Sequence, residues 1–237
     1  MKILSWNLGL TNYYMRYYTM GITNCKPLSI YFITKFILGT NSNYDEENDY
    51  DILFFQEIYD SFDAIKQNLE HKYPHYIHIN NIGISIFSKY KLENICYRKF
   101  NQDILNYITN INNGFMVCYL PEFKTYLCNV HFSCDINLFN SNNEFLKLNN
   151  YINSIKLKED EKIVYGGDFN IKRIKFINYC KELNIIPKLT NKHKSYHYIL
   201  PMNLDYLLCK TKKSNNELIT NIIKTYESDH YPIITNI

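Results

Sequence analysis

Short apolar runs of strand length recur from one end of the chain to the other, with amphipathic helical stretches between them. Lys2–Asn7 reads as a first strand. Asp51–Phe55 is an almost continuous apolar run, the mark of a strand buried on both faces. Tyr76–Ile79, Gly83–Ser88 and Leu92–Tyr97 read as strands of a meander, and Phe115–Leu120 with Thr125–Phe132 as a hairpin turned around Pro121. Lys162–Gly166, Leu204–Cys209, Ile219–Tyr226 and Tyr231–Ile237 complete the strands. Helices are expected at Ile30–Leu38 and along three apolar stripes: Ile58, Phe62, Ile65, Leu69; Phe145, Leu148, Ile152, Ile155; and Ile174, Ile177, Cys180. The polar tract Gly39–Tyr50 reads as a surface loop. Strands outnumber helices, and hairpins mix with crossover helices. This pattern predicts an α/β sandwich with mixed sheets rather than a doubly wound parallel sheet.

Composition narrows the class. A chain of 237 residues, 46% apolar and 21% charged, can bury one sizeable core and is not disordered, so a single domain over 1–237 is expected. Lys+Arg 26 against Asp+Glu 23 gives a formal +3, which permits a polyanionic partner without demanding one. The seven cysteines form no CxxC pair and sit mostly in apolar runs, so small buried hydrophobes in a reducing compartment are expected. The most apolar stretch, Leu28 to Leu38, falls short of the roughly 20 residues of a membrane span. The expectation is a soluble intracellular protein of cytoplasm or nucleus, a monomer with no membrane span.

The polar residues at strand ends carry the chemistry, because a charged group beside the core must be paired or functional. Asn7 closes the first strand. Glu57 follows Phe54-Phe55-Gln56. Asn129 and His131 end the Tyr126–His131 run, and Gly166-Gly167-Asp168-Phe169-Asn170 follows Ile163-Val164-Tyr165. Asp205 lies within Asn203-Leu204-Asp205-Tyr206, and Ser228-Asp229-His230 precedes the last strand. Each has an ordinary explanation alone, such as a helix-capping acid or a satisfied core histidine. One constellation at a single edge of the sheets accounts for all of them together. Carboxylates and carboxamides are hard ligands suited to Mg²⁺ or Mn²⁺, and two histidines with an aspartate can manage water attack and phosphate charge. That combination points to phosphoester hydrolysis.

In this order, Ser5-Trp6-Asn7, Phe55-Gln56-Glu57-Ile58, Asn129-Val130-His131-Phe132, Gly167-Asp168-Phe169-Asn170, Leu204-Asp205-Tyr206-Leu207 and Ser228-Asp229-His230 resemble the motifs of the endonuclease/exonuclease/phosphatase superfamily. The resemblance spans essentially the whole chain. It implies the DNase I-like fold, a four-layer α/β sandwich of two central mixed sheets flanked by helices. It implies Glu57 as the principal Mg²⁺ ligand, with Mn²⁺ as a substitute, and Asn7 and Asp229 close to the metal. It implies His230, oriented by Asp205, at the scissile phosphate; Asp168 positioning the attacking water; Asn170 holding a phosphate oxygen; and His131 donating on the opposite side. Whether His230 or Asp168 is the general base stays open.

Nucleic acid is the expected substrate class, by nuclease or DNA-end-processing action. A lipid or inositol phosphate hydrolase and a non-catalytic binding protein on the same fold are the alternatives. Lys192 and Lys194, followed by Tyr196, are candidates for tracking a phosphate backbone and stacking bases.

Overall fold

The computed structural model describes residues 1–10, 26–40, 49–100, 113–133, 140–188, 194–196, 201–225 and 228–237. Two sheets of six strands each form its centre. The first runs β11-β12-β1-β2-β4-β3, from β1 (Lys2–Asn7), β2 (Ile52–Gln56), β3 (His75–Ile79), β4 (Ile84–Ser88), β11 (Asn221–Ile222) and β12 (Ile233–Asn236). The second runs β10-β9-β8-β7-β6-β5, from β5 (Glu93–Lys99), β6 (Gly114–Leu120), β7 (Thr125–His131), β8 (Lys162–Asp168), β9 (Asp205–Thr211) and β10 (Asn215–Glu217). Each sheet has one parallel pair, β1 with β2 and β7 with β8, and is otherwise antiparallel.

A parallel pair needs a crossover. Helix α1 (Lys26–Ile37) lies between β1 and β2 in the chain, and α3 (Asn140–Ser154) between β7 and β8. Helix α2 (Phe62–Leu69) follows β2, and α4 (Arg173–Glu182) follows β8.

The core divides into three sets that define four layers. Ile3, Phe54, Ile84 and Ile86 of the first sheet meet Met116, Leu127, Val164 and Leu207 of the second. On the outer face of the first sheet, Leu4, Trp6, Leu53, Phe55 and Phe87 pack on Ile33, Phe36, Ile65 and Leu69 of α1 and α2. On the outer face of the second, Val117, Val130, Tyr165 and Tyr206 pack on Phe145, Leu148, Ile152 and Phe176 of α3 and α4. Central strands such as β2 and β4 are buried at every residue, because both of their faces are covered. Each such fully buried aliphatic or aromatic side chain contributes roughly 1.5–3 kcal/mol.

Four sequence expectations are corrected. The meander breaks after β4: β3 and β4 pair in the first sheet, whereas β5 crosses to the second and pairs with β6. The buried stripe of α4 is Phe176, Tyr179 and Cys180, while Ile174 is 80% exposed. Phe176 stacks on Tyr206 at 3.7 Å, and Ile174, two residues earlier, turns to the opposite side of the helix. The expected strand at Ile219–Tyr226 shrinks to Asn221–Ile222, and the polar Asn215–Glu217 forms β10 instead, paired to β9 by its backbone. A 3-10 turn, Tyr59–Ser61, precedes α2, so its expected start at Ile58 is later. Most of the loop expected at Gly39–Tyr50 lies outside the described residues.

Among the described residues five cysteines are unpaired, with Cys118, Cys128 and Cys180 buried as expected. No described helix is long and apolar enough to cross a membrane.

Candidate active site

The two parallel pairs bring the site together. Asn7 ends β1 in register with Gln56 at the end of β2, and His131 ends β7 in register with Asp168 at the end of β8. Asp205 opens β9 directly opposite Asp168. The same edge of both sheets therefore carries the amide, the acids and the imidazole that the chain order scatters.

Asn7 joins the halves. Its Nδ2 donates to Glu57 Oε1 and to Asp168 Oδ2, both at 2.9 Å, while its Oδ1 accepts the Gly9 N–H at 2.9 Å. Glu57 lies just past β2 with φ at 57°, a left-handed conformation that costs a non-glycine residue about 1–3 kcal/mol and is concentrated at functional sites. His131 Nε2 stands 3.5 Å from Glu57 Oε1, and its buried Nδ1 finds no partner among the described residues. Burial works to raise the Glu57 carboxyl, but the His131 ring, the Asn7 amide and the His230 charge outweigh it and hold it at about 2. Burial works against a charged His131, yet Glu57 and Asp168 raise it above the ordinary imidazole value.

The second half is a buried imidazole between acids. His230 Nδ1 bonds Asp205 Oδ2 at 2.8 Å, and its Nε2 faces Asp168 Oδ2 at 3.7 Å. Burial alone would lower His230; Asp205, Asp168 and Asp229 overcome it and lift the ring to about 10. Asp168 is raised to about 6, because burial and the Asp205 charge outweigh His230, His131 and the Asn7 amide. Asp168 Oδ1 accepts the Asn170 N–H at 2.7 Å, and Asn170 Nδ2 donates to the Phe132 carbonyl at 2.9 Å. Asn170 takes φ of 49°, which asparagine tolerates better than most residues.

Asp229 is half-buried and accepts from Ser228 Oγ at 3.3 Å; it is absent from the carboxylate groups that converge among the described residues. Tyr196 lies with its ring 5.1 Å from that of His230, edge to face, and its backbone bridges Met202 and His230. Lys194 is exposed on the same short segment, and Lys192 lies outside the described residues.

Several supporting groups escape a reading of strand-end acids. Trp6 Nε1 donates to the His230 carbonyl at 2.8 Å. Ser228 Oγ donates to the Asn7 carbonyl at 2.7 Å. The buried Ser195 Oγ accepts the backbone N–H of Leu204 and Asp205, each at 3.1 Å. Trp6 and Ser228 stand inside recognised motifs, but nothing in the sequence marks Ser195.

One atom each of Glu57, His131 and Asp168 lie within 4.8 Å of one another, and the same holds for Asp168, Asp205 and His230. The first group, with the Asn7 amide bridging its two acids, offers hard oxygen donors at the mouth of both sheets. It fits a divalent cation of the Mg²⁺ kind, which takes one or two carboxylates and fills its other positions with water or phosphate.

The fold is DNase I-like: two six-stranded mixed sheets between helical layers, with acids and histidines converging at one edge. A variant of beta toxin from Staphylococcus aureus with bound magnesium ions is similar at a TM-score of 0.70, with 17% identity and 98% of each chain covered. Sphingomyelinase C from Streptomyces griseocarneus gives 0.69 and 13% identity over 99% of this chain and 98% of its own. TDP2 from D. rerio, complexed with single-strand DNA product, gives 0.67 and 15% identity over 99% of this chain and 97% of its own. No family model and no curated protein sequence matches the chain.

Proposed function

We propose that the protein is a Mg²⁺-dependent phosphodiester hydrolase acting on nucleic acid. The observation that carries this reading is the convergence of Asn7, Glu57, His131, Asp168 and the His230–Asp205 pair at one edge of the two sheets. Binding alone needs no such assembly of buried, mutually perturbed acids and imidazoles. The core shared between the sheets supports treating 1–237 as one domain.

Glu57, with Asn7 beside it and Asp229 at the margin, would hold the cation. Bound there, Mg²⁺ or Mn²⁺ neutralises charge on a phosphoryl oxygen and polarises it. The remaining work falls to the side chains. Asp168, at about 6, is ionised near neutral pH and can accept the proton of an attacking water. His230, lifted to about 10, stays protonated and is suited to stabilising phosphate charge rather than accepting a proton. Asp205 fixes its ring through Nδ1. Asn170, beside Asp168, would steady the water and a phosphate oxygen. His131, also raised, would donate to the leaving oxygen.

Nucleic acid is favoured by Tyr196, whose ring lies edge to face with His230, and by the exposed Lys194 two residues before it, residue types that stack bases and pair with phosphates. The likeness to sphingomyelinase C favours a lipid phosphodiester instead. A substrate panel at fixed salt separates them: single- and double-stranded DNA, RNA, 5′-tyrosyl DNA, sphingomyelin and an inositol polyphosphate. Each is run with Mg²⁺, with EDTA and with Glu57→Ala. Cleavage of a nucleic acid that needs both Mg²⁺ and Glu57 is expected. Cleavage of sphingomyelin alone overturns the substrate assignment, and silence throughout by a folded protein favours a binding role.

A further inference from the structure

Beneath the acids, the two sheets are tied by a buried relay of amide hydrogen bonds. Gln56 Nε2 donates to Asn129 Oδ1 at 2.6 Å and to Ser5 Oγ at 3.3 Å. Asn129 Nδ2 donates to the carbonyls of Phe55 at 3.0 Å and Ser85 at 2.7 Å. Ser5, Phe55, Gln56 and Ser85 belong to the first sheet and Asn129 to the second, so every one of these bonds but the Gln56–Ser5 contact crosses between sheets. Gln56, Ser85 and Asn129 are 0% exposed and Ser5 is 1% exposed.

The relay is a poor device for stability alone. Gln56 Oε1 and Ser85 Oγ are buried without partners among the described residues, and each such group costs about 1–3 kcal/mol. Deeper in the same interface, Phe54, Ile86, Leu127 and Val164 supply ordinary apolar packing. What directional bonds add is one fixed register, which interdigitated apolar chains specify less tightly. The relay adjoins the site: Gln56 precedes Glu57, and Asn129 stands two residues before His131. Gly167 makes room for the relay, since a Cβ there would lie 2.8 Å from Gln56 Nε2 and 3.2 Å from Asn129 Oδ1.

We propose that Gln56 and Asn129 are positioning residues that lock the ends of the two sheets together, so that Asn7 and Glu57 from one meet His131 and Asp168 from the other. The assignment rests on the proposed function only where a cation is used to read it out.

Gln56→Met and Asn129→Leu keep most of the volume and remove the bonds, and either folded variant serves. Two readouts are needed: a crystal structure, and Mn²⁺ affinity by calorimetry beside the melting temperature. Thr125→Val is the control. It deletes a buried hydroxyl bonded to the Phe123 carbonyl at 2.8 Å, at the far end of β7. The expected result is loss of the 2.9 Å Asn7–Asp168 bond and Mn²⁺ binding weakened about 10-fold or more in the relay variants. Thr125→Val should lower the melting temperature and leave Mn²⁺ affinity unchanged. A relay variant that keeps the Asn7–Asp168 bond and wild-type Mn²⁺ affinity overturns the proposal, whatever its melting temperature. Failure of the wild type to bind Mn²⁺ defeats the proposed function instead, and the crystal structures of the variants then decide the positioning role by themselves.

Discussion

At the scale of single residues, the site is a set of ionisable groups pushed in opposite directions by one another. Glu57 is held at about 2 while His230 is lifted to about 10, so a carboxylate and an imidazolium coexist across neutral pH. Glu57→Gln keeps the shape and removes the charge. Mg²⁺-dependent hydrolysis should fall at least about 100-fold with an unchanged circular dichroism spectrum; near-wild-type turnover would remove Glu57 from the site. The pH dependence of metal-free stability follows by linkage. His230 is raised from the usual 6.5, so its stabilisation is complete below that value and is lost as pH climbs towards about 10. Glu57 is depressed from 4.5, so its contribution is present above that value and disappears as pH falls towards about 2. In EDTA, melting temperature should therefore decline between pH 6.5 and about 10. Burial opposes the imidazolium, and Asp205 is the largest charge that overcomes it, so Asp205→Asn should move the decline to lower pH. Melting curves over that range check it, and an unmoved decline would mean that Asp205 does not set the His230 charge.

At the scale of elements, legibility followed how local the cause was. The apolar runs of β1, β2, β4, β7 and β8 and the stripe of α2 are written in side-chain pattern, and each was readable. Whether β5 continues a meander or changes sheets depends on what it pairs with, which no local pattern carries. Strand β10 is Asn-Asn-Glu, held by backbone bonds to β9 and by the buried Glu217, so propensity points away from it. The strand-end acids and imidazoles that converge were legible as candidates, because ionisable groups beside apolar runs are chemically anomalous. The left-handed turn at Glu57 and the support from Ser195 were not, because both come from chain geometry. Gly166-Gly167 has a reason visible only in the sheet. At φ of 140°, a Cβ on Gly167 would stand 2.2 Å from the Val130 carbonyl oxygen. Gly167→Ala must therefore move β8 away from β7. A loss of about 3 kcal/mol or more in urea unfolding is expected, in the range reserved for strained backbone and broken buried networks. A loss under 1 kcal/mol would show that the strands part without cost.

At the scale of the whole molecule, charge is the lever that separates a nucleic acid from a lipid phosphodiester as substrate. The formal charge of +3 is too small for the protein's overall field to draw a polyanion strongly, so any salt dependence must come from cations near the cleft. Each phosphate neutralised by a lysine on a single strand releases counterions and contributes about −0.7 to the slope of log affinity against log salt. A zwitterionic lipid headgroup brings one phosphate, already at the catalytic centre, and no neighbouring phosphates for outlying lysines. Lys194, on the segment that holds Tyr196 against His230, is the described lysine closest in sequence to that ring contact. If single-stranded nucleic acid is the substrate, kcat/KM on an oligonucleotide should fall with salt at a slope of about −1.4 or steeper, corresponding to two or more contacts. Lys194→Ala should make that slope shallower by about 0.7, leaving kcat at saturating substrate little changed. Tyr196→Ala should raise KM by about 1–3 kcal/mol of lost stacking while leaving the slope as it was, because stacking releases no ions. Steady-state kinetics between 50 and 200 mM salt, on wild type and both variants, measures all three. A flat salt profile that neither substitution alters would place the polyanion elsewhere and make a single phosphodiester headgroup the better substrate.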